Sequence, residues 1–289
     1  MIREYDDTSG RGLSARGPLT PIYDSAARPH PFVEELREIF RYRDLVVQWS
    51  RRNIQLRYKR SVLGVVWTLL EPLMLMTILA LVFSNAFGDL ISDFPVYLLS
   101  GLILFDFFSR STLQIVEEII ASQSLAERIH VPRSAFAVAA VVTYLVNWLI
   151  AHLPLIGLAL VFGRDVNASI LTIPAGMLLA ALFALGIGLI VATMGAFFLD
   201  IRLTYQVLLT GWFYATPIIY SLSIVPESRH WIFRLNPVLH LVELVRKPIY
   251  DGVVAPAEHW LIAGGVSISV LVAGWAVFTH WRNAFDYRS

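Results

Sequence analysis

Three charged side chains stand inside stretches otherwise built to avoid water. Glu71 is the one charge in the run 62–87, and Asp106 and Arg110 fall within the apolar run from about 95 to 121. Asp106 and Arg110 are four residues apart, which puts them on one helix face as an ion pair. Glu71 precedes Pro72, so it faces either a water-filled path or neighbours in its own first turn. Charges at membrane depth are costly and turn toward polar cavities or one another. This is the chemistry of pairing and of a polar path, not of covalent catalysis. The seven histidines are scattered, and no HExxH or comparable metal spacing occurs. Asp200 and Arg202 look like a span terminus rather than an acid–base pair. No catalytic or metal-binding residue is expected.

Three further groups carry candidate roles. The loop 122–133 holds Glu127, Arg128, His130, Val131, Pro132 and Arg133. It reads as a short charged helix stopped at Pro132. Its functional reading is a coupling helix seated in a motor subunit, against an ordinary solvated turn. The segment 225–259 is broken by proline and is too apolar for a free loop. It reads as partly re-entrant, either a gate or a membrane-surface cap, with Asn236, Pro237 and Arg246 in it and Pro217 ahead of it as the marked residues. Aromatic residues gather near span ends and within the second and fifth spans. Trp67, Tyr97, Phe105, Phe108, Trp212, Tyr214 and Tyr220 suit either an aromatic belt or a pore lining that meets sugar rings with flat apolar faces.

The elements that hold these residues are membrane helices. The 289-residue chain is 56% hydrophobic with mean hydropathy +0.62. Its 16% charged residues compare with about 25% in an average soluble domain. About 20 apolar residues cross a bilayer as a helix. Six spans are expected, at about 62–87, 95–121, 135–162, 170–199, 203–224 and 260–280. Seventeen of the 23 lysines and arginines then fall on one side and five on the other, which places both termini in the cytoplasm. Residues 1–31 read as a flexible cytoplasmic tail with no apolar core of a signal peptide. Residues 32–60 carry an amphipathic interfacial helix and a basic junction, residues 61–282 the six-span domain, and residues 283–289 a cytoplasmic end. The fold class is therefore all-α integral membrane.

Composition excludes other classes. There is no cysteine, hence no disulfide framework or thiolate site. The two lysines, Lys59 and Lys247, follow Tyr58 and Arg246, so the GxxxxGK[ST] phosphate loop is absent. If this chain serves ATP-driven transport, the motor is another polypeptide. No strong repeat links the two halves, which disfavours an inverted-repeat carrier.

Taken in order, several motifs resemble the membrane subunits of ABC-2-type polysaccharide exporters, the permeases for O-antigen, capsular polysaccharide and teichoic acid. They are Arg57-Tyr58-Lys59-Arg60-Ser61-Val62-Leu63-Gly64-Val65-Val66-Trp67, then Glu71-Pro72-Leu73, and Tyr97-Leu98-Leu99-Ser100-Gly101-Leu102. Next come Ile129-His130-Val131-Pro132-Arg133, Asp200-Ile201-Arg202, Thr216-Pro217-Ile218-Ile219-Tyr220 and Leu235-Asn236-Pro237. The likeness covers roughly residues 32–282. It implies a six-span permease that pairs as a homodimer and binds two copies of an ABC ATPase, with ATP and magnesium on that partner. It implies an inner-membrane location, a channel for an undecaprenyl-linked glycan at the dimer interface, and no nucleic-acid partner. It assigns ATPase coupling to about 123–132 and the outer gate to about 226–250. Many relatives carry a neutral residue where this chain has Glu71. The alternatives are an ABC-2 exporter of a drug or simple lipid, an integral-membrane glycosyltransferase or acyltransferase, and a proton-coupled carrier using Glu71.

Overall fold

A computed structural model describes residues 31–59, 61–121, 131–198 and 200–281. The expected tail at 1–30, the closing residues 282–289, and Glu127, Arg128 and His130 of the charged loop lie outside them. Every regular element among the described residues is helical. Five are long and apolar enough to cross a membrane. They are α3 (Trp67–Phe87), α4 (Phe94–Ala121), α5 (Arg133–Val161), α6 (Ile173–Phe197) and α10 (Ala257–His280). Before them stand α1 (Pro31–Arg41) and α2 (Arg43–Tyr58). Between α6 and α10 stand α7 (Ile201–Ala215), α8 (His230–Arg234) and α9 (Pro237–Arg246).

The expected fifth span, 203–224, is helical only as far as Ala215. Fifteen residues rise about 22 Å, short of the ~30 Å hydrocarbon core. Thr216 is extended (φ −100°, ψ 133°), as a residue before proline prefers. Ile218 and Ile219 continue the apolar run, but they bury in the core outside any helix.

α4 is the axis of the bundle. It packs on α5, α6 and α9, and Leu98, Leu99, Leu104, Phe107, Phe108, Ile115 and Ile119 are sealed inside. α6 and α10 meet backbone to backbone. A Cβ on Gly186 would stand 2.6 Å from the Val270 carbonyl, and one on Gly274 would strike Gly186 itself. Small residues permit such approach where lipid gives no hydrophobic drive between helices.

At one end, three connections are tied by Arg164. Its guanidinium pairs with Asp93 at 2.6 Å, donates to the Tyr250 carbonyl at 3.0 Å and lies 4.1 Å from the Tyr250 ring centre. Asp93 takes a left-handed φ of 48°, and its carbonyl accepts from Val96 in the first turn of α4 at 2.9 Å.

At the other end the amphipathic segment forms two helices that break at Tyr42 (φ −96°, ψ 20°). α2 runs parallel to α5. Ser50 Oγ donates to the Ala139 carbonyl at 3.0 Å and Tyr58 Oη to Asn147 Oδ1 at 3.3 Å, both pairs 89 residues apart. Val46 buries against Val131, Ala135, Phe136 and Ala139.

Candidate functional site

Arg110 joins two helices. Its Nε meets Asp106 Oδ1 at 2.5 Å within α4, and its Nη2 bonds Glu71 on α3. The i, i+4 pair is the one the spacing predicts. The bond across to Glu71 is additional. One guanidinium serves two carboxylates, and the side chains of Glu71, Asp106 and Arg110 remain 51%, 50% and 32% exposed.

Of these charges, Asp106 lines a groove of about 860 Å³ between α3, α4 and α7. Phe105, Phe213 and Tyr214 give it aromatic wall, and Asp106, Ser109 and Gln206 give it polar wall. The Phe105 and Phe213 rings meet edge-on at 5.2 Å. α3 flanks the groove with almost no cover from its own chain. Only 6% of its apolar stretch is buried, against 78% for α4.

The aromatic candidates separate by position. Tyr214 is 63% exposed at the groove, and Trp67 is exposed on the far flank of α3, beside Glu71. Phe108 is 1% exposed. The pore-lining expectation is corrected there, because Phe105, Phe183 and Trp212 close over its ring. Tyr97 is also turned into the core. Its hydroxyl donates to the Tyr220 carbonyl at 3.0 Å, and its face carries the Arg246 guanidinium at 3.8 Å. Trp212 donates to Asn236 Oδ1 at 2.9 Å.

The segment after α7 is fastened at two points. Asn236 caps α9 by accepting from Val238 N at 3.1 Å and donates to Thr216 Oγ1 at 2.9 Å. Pro237 follows as the first residue of α9, where a missing N–H costs nothing. Arg246, 2% exposed, donates to the Pro217 carbonyl at 3.0 Å, to Glu243 at 3.1 Å and to Ser100 at 3.3 Å. Gly101 makes room for it, since a Cβ there would lie 2.7 Å from Nη2. Beside it, burial lowers the Lys247 pKa, and Asp251 at 2.7 Å outweighs that effect, so the ammonium titrates above the usual lysine range.

Val131 packs on α2, Pro132 caps α5, and Arg133 opens it. One cluster here escaped sequence reasoning. Glu118 accepts from Trp49 Nε1 at 2.9 Å, Asn53 Nδ2 at 2.8 Å and Gln114 Nε2 at 3.0 Å. It locks α2 onto the end of α4 that leads into the charged loop. Only the i, i+4 spacing of Gln114 and Glu118 signals it in the sequence.

Comparison with known proteins bears on this arrangement. The sequence profile of the ABC-2 type transporter family matches residues 45–250. The chain belongs to the ABC-2 type transporter family. The ABC-2 match runs from α2 to the turn after α9, and thus takes in the Glu71–Arg110–Asp106 cluster, the groove and the fastened segment. The chain is similar to "O-antigen export system permease protein RfbA" of Myxococcus xanthus, at 28% identity over 252 residues, 86% of this chain and 97% of that protein. A Klebsiella pneumoniae protein of the same name is 26% identical over 243 residues, 84% of this chain and 93% of that one. "Polysialic acid transport protein KpsM" of Escherichia coli is 28% identical over 234 residues, 79% and 85% of the two chains. The ABC-2 chain is a multi-pass, all-helical membrane protein.

Proposed function

We propose that this chain is the transmembrane subunit of an ATP-driven exporter moving a lipid-linked polysaccharide of O-antigen, capsule or teichoic-acid type across the bacterial cytoplasmic membrane. The carrying observation is the groove between α3, α4 and α7. It leaves Asp106, the α4 carboxylate paired with Arg110, open beside a helix that its own chain barely covers. Lipid against those charges would be costly. A second copy laid over the groove turns it into a water-filled channel. Edge-on aromatic rings suit the apolar faces of passing sugars, and the O-antigen and polysialic acid relatives support the cargo class.

In this reading two copies pair, and each engages one copy of a separate ATPase that holds ATP and magnesium. Undecaprenyl is the expected lipid, and both termini are cytoplasmic. Glu127, Arg128, His130, Val131, Pro132 and Arg133 meet the ATPase. The segment through Pro217, Asn236, Pro237 and Arg246 gates the outer mouth. Phe105 and Tyr214 line the cargo path, Glu71, Trp212 and Tyr220 border it, Trp67 flanks it across α3, and Tyr97 supports it through Arg246.

The test joins a pull-down from native membranes to cargo analysis in a deletion strain. An equimolar P-loop ATPase and lipid-linked polymer retained inside the depleted cells are expected. Normal surface polymer in the deletion strain, or repeated absence of an ATPase from an intact complex, overturns the proposal.

A further inference from the structure

The Asp200-Ile201-Arg202 motif has no part in the export reading. Arg202 stands in the first turn of α7, where a helix dipole disfavours a cation. Its own helix therefore gives no reason for the charge. The reason lies on α4. Arg202 Nη2 pairs with Glu117 Oε1 at 2.5 Å. Glu117 stands close to the C-terminal end of α4, where the dipole disfavours an anion in turn. Each charge is placed for the other.

The pair has a definite position. Arg202 meets Glu117, and Tyr205 meets Thr112. The contacts run in opposite order along the two helices, so α4 and α7 are antiparallel. The lining of the groove ends at Leu113 on α4 and begins at Gln206 on α7. Glu117 comes four residues after Leu113, and Arg202 four before Gln206. Residues four apart share a helix face. The pair thus crosses the end of the groove one turn beyond its lining, as a sill.

The surroundings divide what holds from what can part. Tyr205 Oη donates to Thr112 Oγ1 at 2.9 Å, a buried bond that anchors α7 beside the pair. Glu118 follows Glu117 but points about 100° away around the helix. It is 8% exposed and accepts from Trp49, Asn53 and Gln114, which fixes that turn of α4. The Arg202 and Glu117 side chains are instead 50% and 40% exposed. An ion pair open to water holds weakly. It can part and re-form while the Tyr205 anchor stays in place, with only the first turn of α7 displaced.

We infer that Glu117 and Arg202 form a reversible latch that closes the groove at the end where α7 begins. The export reading makes that end the cytoplasmic mouth, where polymer enters, and the role of the latch rests on it. Closed, the pair bars the mouth between transport cycles. Parted, it leaves a carboxylate on one side of the entrance and a guanidinium on the other.

The test measures access to the groove without transport. The chain has no cysteine, so Ser109→Cys places a single thiol on the groove wall. Inverted membrane vesicles hold this variant with its ATPase and no nucleotide. A membrane-impermeant cationic methanethiosulfonate is added from the exposed cytoplasmic face, and the labelling rate is followed. Glu117→Arg and Arg202→Glu should each raise that rate about fivefold, the weight of an exposed ion pair. The double reversal, Glu117→Arg with Arg202→Glu, should return it to the starting value. Unfolding midpoints in detergent should stay unchanged in all three, because the pair is exposed. Single reversals that label no faster than the parent overturn the latch. A double reversal as fast as the singles overturns it too. One reversal speeding the cationic reagent while the other slows it would mark a mere local field, and a lowered midpoint with faster labelling would mark a structural brace. Either result also overturns the latch. Failure in any of these forms leaves the export reading intact, because that reading is judged in cells by polymer retention.

Discussion

Arg110 answers two carboxylates with one guanidinium, and that inequality governs what substitution does here. Glu71 is half exposed, and exposed ion pairs are worth about 0–1 kcal/mol. Glu71→Gln should therefore change stability by less than ~1 kcal/mol and keep surface polymer near normal in a complemented deletion strain. Glu71→Lys sets two cations together and should cut surface polymer severely. Loss of export in the glutamine variant would show that Glu71 does more than pair. Arg246 is the opposite case, being sealed in the core beside Glu243. Arg246→Met should cost about 3–5 kcal/mol, as removing one partner of a buried pair does, read as a lowered unfolding midpoint in detergent. Arg246→Lys should not restore it, because an ammonium cannot fork between Pro217 and Glu243 while lying on Tyr97. A midpoint unchanged in the methionine variant would refute the clamp. Of these contacts the sequence reveals Asp106–Arg110, since helical period alone brings them together. The bond to Glu71 and the stack on Tyr97 depend on how separate helices cross, which spacing within one helix does not encode. Phe108 misleads for the same reason, because composition does not say which face of α4 is enclosed.

At the level of elements, hydropathy reports where the chain avoids water, not whether it is helical. That is why α3, α4, α5, α6 and α10 were legible while α7 was read too long. Ile218 and Ile219 carry the apolar run past Thr216-Pro217, so the span reads on to 224. The docking of α2 was hidden behind its basic face, and Glu118 carries it. Glu118→Ala should free α2 and raise amide hydrogen exchange across Arg43–Tyr58 at least about tenfold. Unchanged exchange there would leave the clamp without mechanical meaning. The α6–α10 contact gives a sharper test. Gly274→Val should depress the unfolding midpoint and the yield of folded protein, because the added atoms meet Gly186 backbone. Gly264→Ala, where a Cβ meets nothing within 4 Å, should be neutral or slightly stabilising. Equal behaviour of the two variants would exclude the close packing.

For the molecule as a whole, the uncovered α3 predicts where the second copy of the proposed dimer sits. The chain contains no cysteine, so single cysteines report contacts without background. Leu81→Cys on exposed α3 should yield disulfide-linked dimers in native membranes, whereas Leu261→Cys, equally exposed on α10, should not. The reverse pattern would move the interface to α10. The same structure divides stiffness from compliance. α4, α5, α6, α9 and α10 interlock through sealed aromatics, glycine contacts and the Arg246 clamp. α3 is largely uncovered, α7 is short, and each adjoins a break in regular structure, Gly64 with its left-handed φ of 51° and the extended Thr216. Swinging those two helices outward therefore exposes less apolar surface than unpacking α4 would. Mechanical work delivered from below would go into widening a bore rather than into melting a core, and side branches of unequal girth could pass while the frame around them keeps its shape.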